Sequence, residues 1–149
     1  MASNSPKTTA GADPAPLGLF VLATTLLVFS AANAKFANVS AAATLPLALA
    51  VGGIGLLLAG WWAFRNGATF DATTFVAYGT FWIAFWYAGT SPFAANIQAG
   101  TNFAWFYLAW TIFTGFLLVG ALRLNWALVV FLGLLFLTFL LLTVFETAG

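Results

Sequence analysis

Residues 126–145 read WALVVFLGLLFLTFLLLTVF, a run of twenty positions without a charge. A hydrocarbon core about 30 Å thick needs roughly that many apolar residues in a helix. Cutting the rest of the chain at its few charges and turn formers leaves four more such runs, at 15–33, 41–64, 72–90 and 103–122. The connectors are short: AKFANVS at 34–40, RNGATFD at 65–71, SPFAANIQAGTN at 91–102 and RLN at 123–125. They hold most of the charge and the Asn, Gly and Pro that favour turns. The expected fold is therefore all-α, a polytopic membrane protein with five transmembrane helices in a bundle over 13–149. Residues 1–12, MASNSPKTTAGA, are rich in Ser, Thr, Ala and Gly and read as a flexible N-terminal tail.

Composition agrees with that reading and narrows the function. Of 149 residues 63% are apolar and 5% charged, against roughly 25% charged in a soluble domain. With 4 Lys+Arg there is no basic surface to neutralise a run of phosphates, so nucleic acid is not an expected partner. The chain has His 0 and Cys 0, which removes the usual ligands of zinc, haem iron and iron–sulfur clusters. It also removes the usual Cys and His of nucleophilic catalysis. No metal, cofactor or enzymatic activity is expected.

The first span has a rival reading, because Lys7, the run from Leu17 to Phe29 and then Ala32-Asn33-Ala34 resemble a cleavable signal peptide. Its leader, however, carries an acid and three prolines rather than a basic cluster, which favours a retained helix with Asp13 as N-cap and Pro14 at the first helical position. Lys7, Arg65 and Arg123 then fall on one side and Lys35 on the other, which predicts a cytoplasmic N-terminus and an external C-terminus. Trp61, Trp62 and Trp126 lie beside Arg65 and Arg123, where indoles anchor at the headgroup level.

Helices in lipid associate where small residues let backbones approach. Ala48, Gly52, Gly55 and Ala59 fall on one face of the second span, and Thr73, Ala77, Thr80 and Ala84 on one face of the third. Both stripes are read as close-packed seams. No Lys, Arg, Asp or Glu occupies the middle of a span, so the intramembrane ion pairs of proton relays and the lysine of a retinal Schiff base are absent. Most Ser and Thr at membrane depth bond their own backbone. Tyr78 stands apart, because a phenol far from the interface must find a partner or line something wet.

Asp13-Pro14-Ala15-Pro16-Leu17-Gly18-Leu19, opening the first span, is similar to the N-P-[AG]-P-L-G-L signature of the acetate uptake transporter family, which includes bacterial succinate-acetate permeases. Gly52-Gly53-Ile54, Ala59-Gly60, Gly67, Thr69-Phe70 and Phe75-x-x-Tyr78-Gly79-x-Phe81-Trp82 follow in the family's order and spacing. The last two spans resemble the family by hydropathy and spacing only. The resemblance implies a six-helix protomer of the bacterial plasma membrane, assembled as a hexamer, that passes acetate and similar small monocarboxylates through a pore in each protomer. It places an apolar constriction at Leu22, Tyr78 and Leu135. These lie nine residues past Asp13, seven past Asp71 and nine past Trp126, or about 10 to 14 Å deep at the helical rise.

Several positions depart from the family pattern. Asp13 replaces the signature Asn, Leu22 a Phe usual in bacterial members, Ser30 an Asn and Leu56 a Gln. The family has a sixth helix, whereas these residues close after the fifth span, so its place is expected to be filled by another copy or by a partner subunit. Without a fixed cation in the spans, a carboxylate must meet hydroxyls, with Thr24, Thr25 and Thr74 as candidates, or backbone N–H groups at helix N-termini. Alternatively the neutral acid crosses. Two rival functions remain: a non-transporting structural subunit of a membrane complex, and a channel for another small neutral solute such as ammonia.

Overall fold

The computed structural model describes residues 11–99 and 101–148, so most of the expected tail, residues 1–10, lies outside the described residues. Five helices of 19, 22, 22, 20 and 23 residues dominate: α1 (Ala15–Asn33), α2 (Thr44–Arg65), α3 (Thr69–Thr90), α4 (Asn102–Ala121) and α5 (Trp126–Ala148). Four of them, all but α3, are both long and apolar enough to cross a membrane. α3 has the length but is diluted by Thr, Tyr, Trp and Gly. No strand occurs among the described residues.

The entry to α1 corrects the expected cap by one position. Pro14, with φ −78°, is the N-cap and Ala15 the first helical residue. Asp13 sits one residue earlier, where its Oδ1 accepts the Ala15 N–H at 2.9 Å. Pro16 falls where a missing N–H costs nothing.

α2 ends in a Schellman turn. The Gly67 N–H donates to the Phe64 carbonyl at 3.1 Å and the Ala68 N–H to the Ala63 carbonyl at 3.0 Å. Gly67 supplies the left-handed φ of 73° that this closure requires. The turn is so short that α3 starts at Thr69, three residues before the expected Ala72.

α2 itself is not the plain α-helix expected from 41–64. Its first turn is α-helical over Thr44–Leu47, Ala48–Gly55 is π-helical, and α geometry resumes at Leu56–Arg65. π turns are rare and often accompany functional sites.

The chain forms two compact units, Met1–Gly89 and Thr90–Gly149. In the first, glycines bring α1, α2 and α3 together. A Cβ on Gly79 would lie 3.1 Å from the Gly53 carbonyl oxygen, and one on Gly60 would lie 2.6 Å from Val76 Cγ2. Ala48, Gly52 and Ala59 are buried as the first stripe requires, and Gly55 is half-buried against Val21. The second stripe is corrected: Thr73, Thr80 and Ala84 are exposed and Ala77 half-buried. The buried face of α3 is instead Ala72, Thr74, Phe75, Tyr78, Gly79, Phe81, Trp82 and Ala88.

In the second unit, α4 and α5 pack as a hairpin across residues 122–125. Ala104, Tyr107, Thr111, Thr114, Leu117 and Ala121 recur every three or four residues along the buried face of α4, and Leu132, Leu135 and Phe139 along that of α5. The rings of Tyr107 and Phe139 meet at 6.4 Å.

Candidate functional site

Two of the three residues expected at the constriction, Leu22 and Tyr78, lie in the first unit. Leu22 is 2% and Tyr78 1% exposed. Contacts on either side fix their relative depth. Below them, a Cβ on Gly18 would lie 2.6 Å from Phe75 Cε1 and closer still to Cε2 and Cζ. Above them, Thr25 and Trp82 meet over Gly52, whose Cβ position lies 3.0 Å from Thr25 Cγ2 and 2.8 Å from Trp82 Cδ1. Leu22 follows Gly18 by four residues and precedes Thr25 by three, while Tyr78 follows Phe75 by three and precedes Trp82 by four. Bracketed by two contacts, the leucine and the phenol stand at one level. Leu135, on α5 in the second unit, is buried at 6% exposure.

The three candidate hydroxyls all bond their own helix. Thr24 donates to the Phe20 carbonyl at 2.8 Å, Thr25 to Val21 at 2.9 Å and Thr74 to Phe70 at 2.8 Å. Thr25 and Thr74 are buried and Thr24 half-buried. With their protons committed, the oxygens present lone pairs only. Such a set can receive a proton donor, such as an undissociated carboxyl group, water or ammonia. In this arrangement it presents no free donor to a bare carboxylate.

On the loop side of the first unit, outside the apolar segments, the Asn66 Nδ2 donates to the Ala12 carbonyl at 2.8 Å. This ties the start of α1 to the α2–α3 turn. Asp71, in the first turn of α3, has its carboxyl raised above the ordinary 3.8, first by burial and then by the negative charge of Asp13. Two acids thus lie at the same end of the first unit, one of them where the family signature carries an Asn.

Reading the sequence missed Trp82. Its indole is 1% exposed, boxed edge-on by Phe29 at 5.6 Å, Phe81 at 4.9 Å and Phe85 at 5.8 Å. Its Nε1 has no hydrogen-bond partner among the described residues. The available signal was its place in the middle of a span, since tryptophan ordinarily gathers at the membrane interfaces. Of the three tryptophans expected as interfacial anchors, Trp61 and Trp126 are 65% and 78% exposed and Trp62 is half-buried.

Comparison with known proteins places this architecture. A model of the GPR1/FUN34/yaaH family matches residues 2–149. Acetate permease A of Emericella nidulans is 38% identical over 146 residues, covering 89% of this chain and 49% of the relative. Ammonia transport outward protein 3 of Saccharomyces cerevisiae is 37% identical over 142 residues, covering 89% and 51%. The chain thus spans about half the length of these relatives. Among solved structures, the bacterial acetate channel SatP superposes with a TM-score of 0.77 at 28% identity, over 93% of this chain and 77% of that one.

Proposed function

Because this chain belongs to the GPR1/FUN34/yaaH family, we propose that it is an integral membrane protein that conducts acetate and similarly small monocarboxylates. The matched level of Leu22 and Tyr78, both buried on parallel faces of α1 and α3, carries the reading. A leucine and a phenol at one depth are proposed as two members of a narrow apolar ring. Such a ring admits a small, weakly hydrated solute and rejects a large or multiply charged one.

The committed Thr protons favour the undissociated acid as the crossing species. Thr24, Thr25 and Thr74 receive its O–H, and the carboxylate finds no complementary donor among them. No covalent chemistry is needed for this task. Liposomes containing only this protein should take up labelled acetate, at a rate that follows the undissociated fraction as pH falls. Uptake no faster than in protein-free liposomes at every pH would refute the proposal and favour a structural subunit.

Ammonia is the second reading. Lone-pair acceptors suit its N–H groups equally well, and one relative is named for ammonia transport at 37% identity. Faster alkalinisation of the liposome interior by an ammonium pulse, without acetate uptake, would select it.

A further inference from the structure

The residues ahead of α1 are held by a side chain from the far end of α2. Asn66 caps that helix, and its backbone N–H donates to the Trp62 and Ala63 carbonyls at 3.1 and 3.2 Å. Its amide meets the entry of α1 with both of its polar atoms. Nδ2 donates to the Ala12 carbonyl at 2.8 Å, and Oδ1 lies 2.9 Å from the point that a Cβ on Gly11 would occupy. A side chain on Gly11 would have to push the amide aside.

The same end carries an opposing force. Asp13 moves with α1, because its Oδ1 accepts the Ala15 N–H at 2.9 Å. Asp71 belongs to the first turn of α3, and the negative charge of Asp13 bears on it. When both carboxyls are ionised they drive the entry of α1 away from α3, while the Asn66 bond draws it toward the α2–α3 turn. Arg65, one residue before Asn66, is the other charged side chain of this turn, and Lys7 lies outside the described residues. One exposed hydrogen bond and one pair of like surface charges are of similar strength, so a single proton tips the balance. Burial and Asp13 both raise the Asp71 carboxyl above 3.8, and an arrangement that raises a carboxyl's value is itself favoured by the proton. The close approach of the α1 entry to α3 is thus fully favoured below 3.8 and loses that support as pH rises through the raised value.

We propose that Asn66, Asp13 and Asp71 form a pH-sensitive latch on the entry of α1, closed in acid with the Ala12 carbonyl on Asn66 and released when both carboxylates are charged. The latch goes beyond the transport reading and does not rest on it. It governs how firmly the opening of the first span is tied to a turn 54 residues away in sequence.

The chain contains no cysteine, so a nitroxide on Ala12→Cys, an exposed position whose backbone carbonyl is kept, reports on this segment alone. In lipid nanodiscs the label should be immobilised at about pH 3.5 and its mobile fraction should be about fivefold larger at about pH 7.5, the scale of one exposed hydrogen bond. Asp71→Asn should hold it immobile across that range. Gly11→Ala and Asn66→Ala should each leave it mobile throughout, the first without altering the α2 cap. A native spectrum that does not change with pH, a change that survives Asp71→Asn, or an immobile label in both latch variants would overturn the proposal. Labelled-acetate uptake by the same protein in liposomes tests the transport reading separately, so that either can fail alone.

Discussion

Phe75 packs so closely in front of Gly18 that a Cβ on the glycine would lie 2.6 Å from its Cε1 and closer still to its Cε2 and Cζ. The glycine of the opening motif and the first aromatic of the third-helix motif are therefore one contact, the lower of the two that set Leu22 level with Tyr78. Gly18→Ala should overpack this contact and cost about 1–3 kcal/mol. Thermal unfolding in detergent should report a lowered midpoint, and Gly18→Ala with Phe75→Leu should recover part of the loss. An unchanged midpoint in the single variant would show that α1 and α3 are not held together there.

Tyr78 is proposed to narrow the passage with its ring and to contribute a polar edge with its hydroxyl. Tyr78→Ala should raise acetate flux and relax size selection, so that butyrate passes nearly as well as acetate. Tyr78→Phe should keep the size cut-off and alter only the preference among polar solutes. Unchanged permeation of both acids in both variants would remove Tyr78 from the path.

Asp71 should make stability depend on pH in the direction opposite to a salt-bridged acid. Its folded value lies above the ordinary 3.8. Relative to an unperturbed carboxyl, its contribution is therefore fully present below 3.8 and is lost as pH rises through the raised folded value. Asp71→Asn should flatten this part of the unfolding profile. Asp13→Asn should reduce it only partly, because burial is the larger cause. An Asp71 carboxyl that titrates at its ordinary value by ¹³C NMR would contradict the arrangement.

The Lys and Arg distribution predicts an N-terminus inside and a C-terminus outside. The Asn66 bond to the Ala12 carbonyl brings the start of α1 to the same side as the α2–α3 turn, as that topology requires. A reporter fused after Gly149 should be active outside the cytoplasm. Activity only on the cytoplasmic side would reverse the assignment.

The outward face of Thr73, Thr80 and Ala84 leaves a small-residue surface on α3 without a partner in its own unit. Small faces pack closely against another helix and poorly against mobile acyl chains. We expect a homo-oligomer, with six copies as the leading count, and Ala84→Leu should weaken it. Native mass in nanodiscs checks this: a clean monomer would remove the expectation, and a complex with a different subunit would replace it.

The spans were legible because crossing hydrocarbon demands length and apolarity, and both can be counted along a sequence. The boundaries of all five helices consequently lie within three residues of expectation. The direction of a face was harder to read. The stripes at Ala48 and Thr73 have the same spacing of small residues, yet one is buried and the other open, because periodicity defines a face without naming its neighbour. At the site, Tyr78 stood out as a mid-span phenol, whereas Trp82 was hidden by its conserved chemical habit of anchoring helices at interfaces. The π segment left no trace, since an α period carried through Gly52-Gly53 predicts nearly the same buried residues.

That segment has a consequence for helix length. α2 has 22 residues and α1 has 19, yet both must cross one slab of lipid. At the α-helical rise the difference is about 4.5 Å, which would leave one end of α2 standing proud or force it to tilt. A π turn is wider and rises less per residue, so the eight residues of Ala48–Gly55 take up part of this difference. Among the described residues this is the one π-helical stretch in the spans, so losing a residue here should be absorbed by the wide turn tightening into an ordinary one.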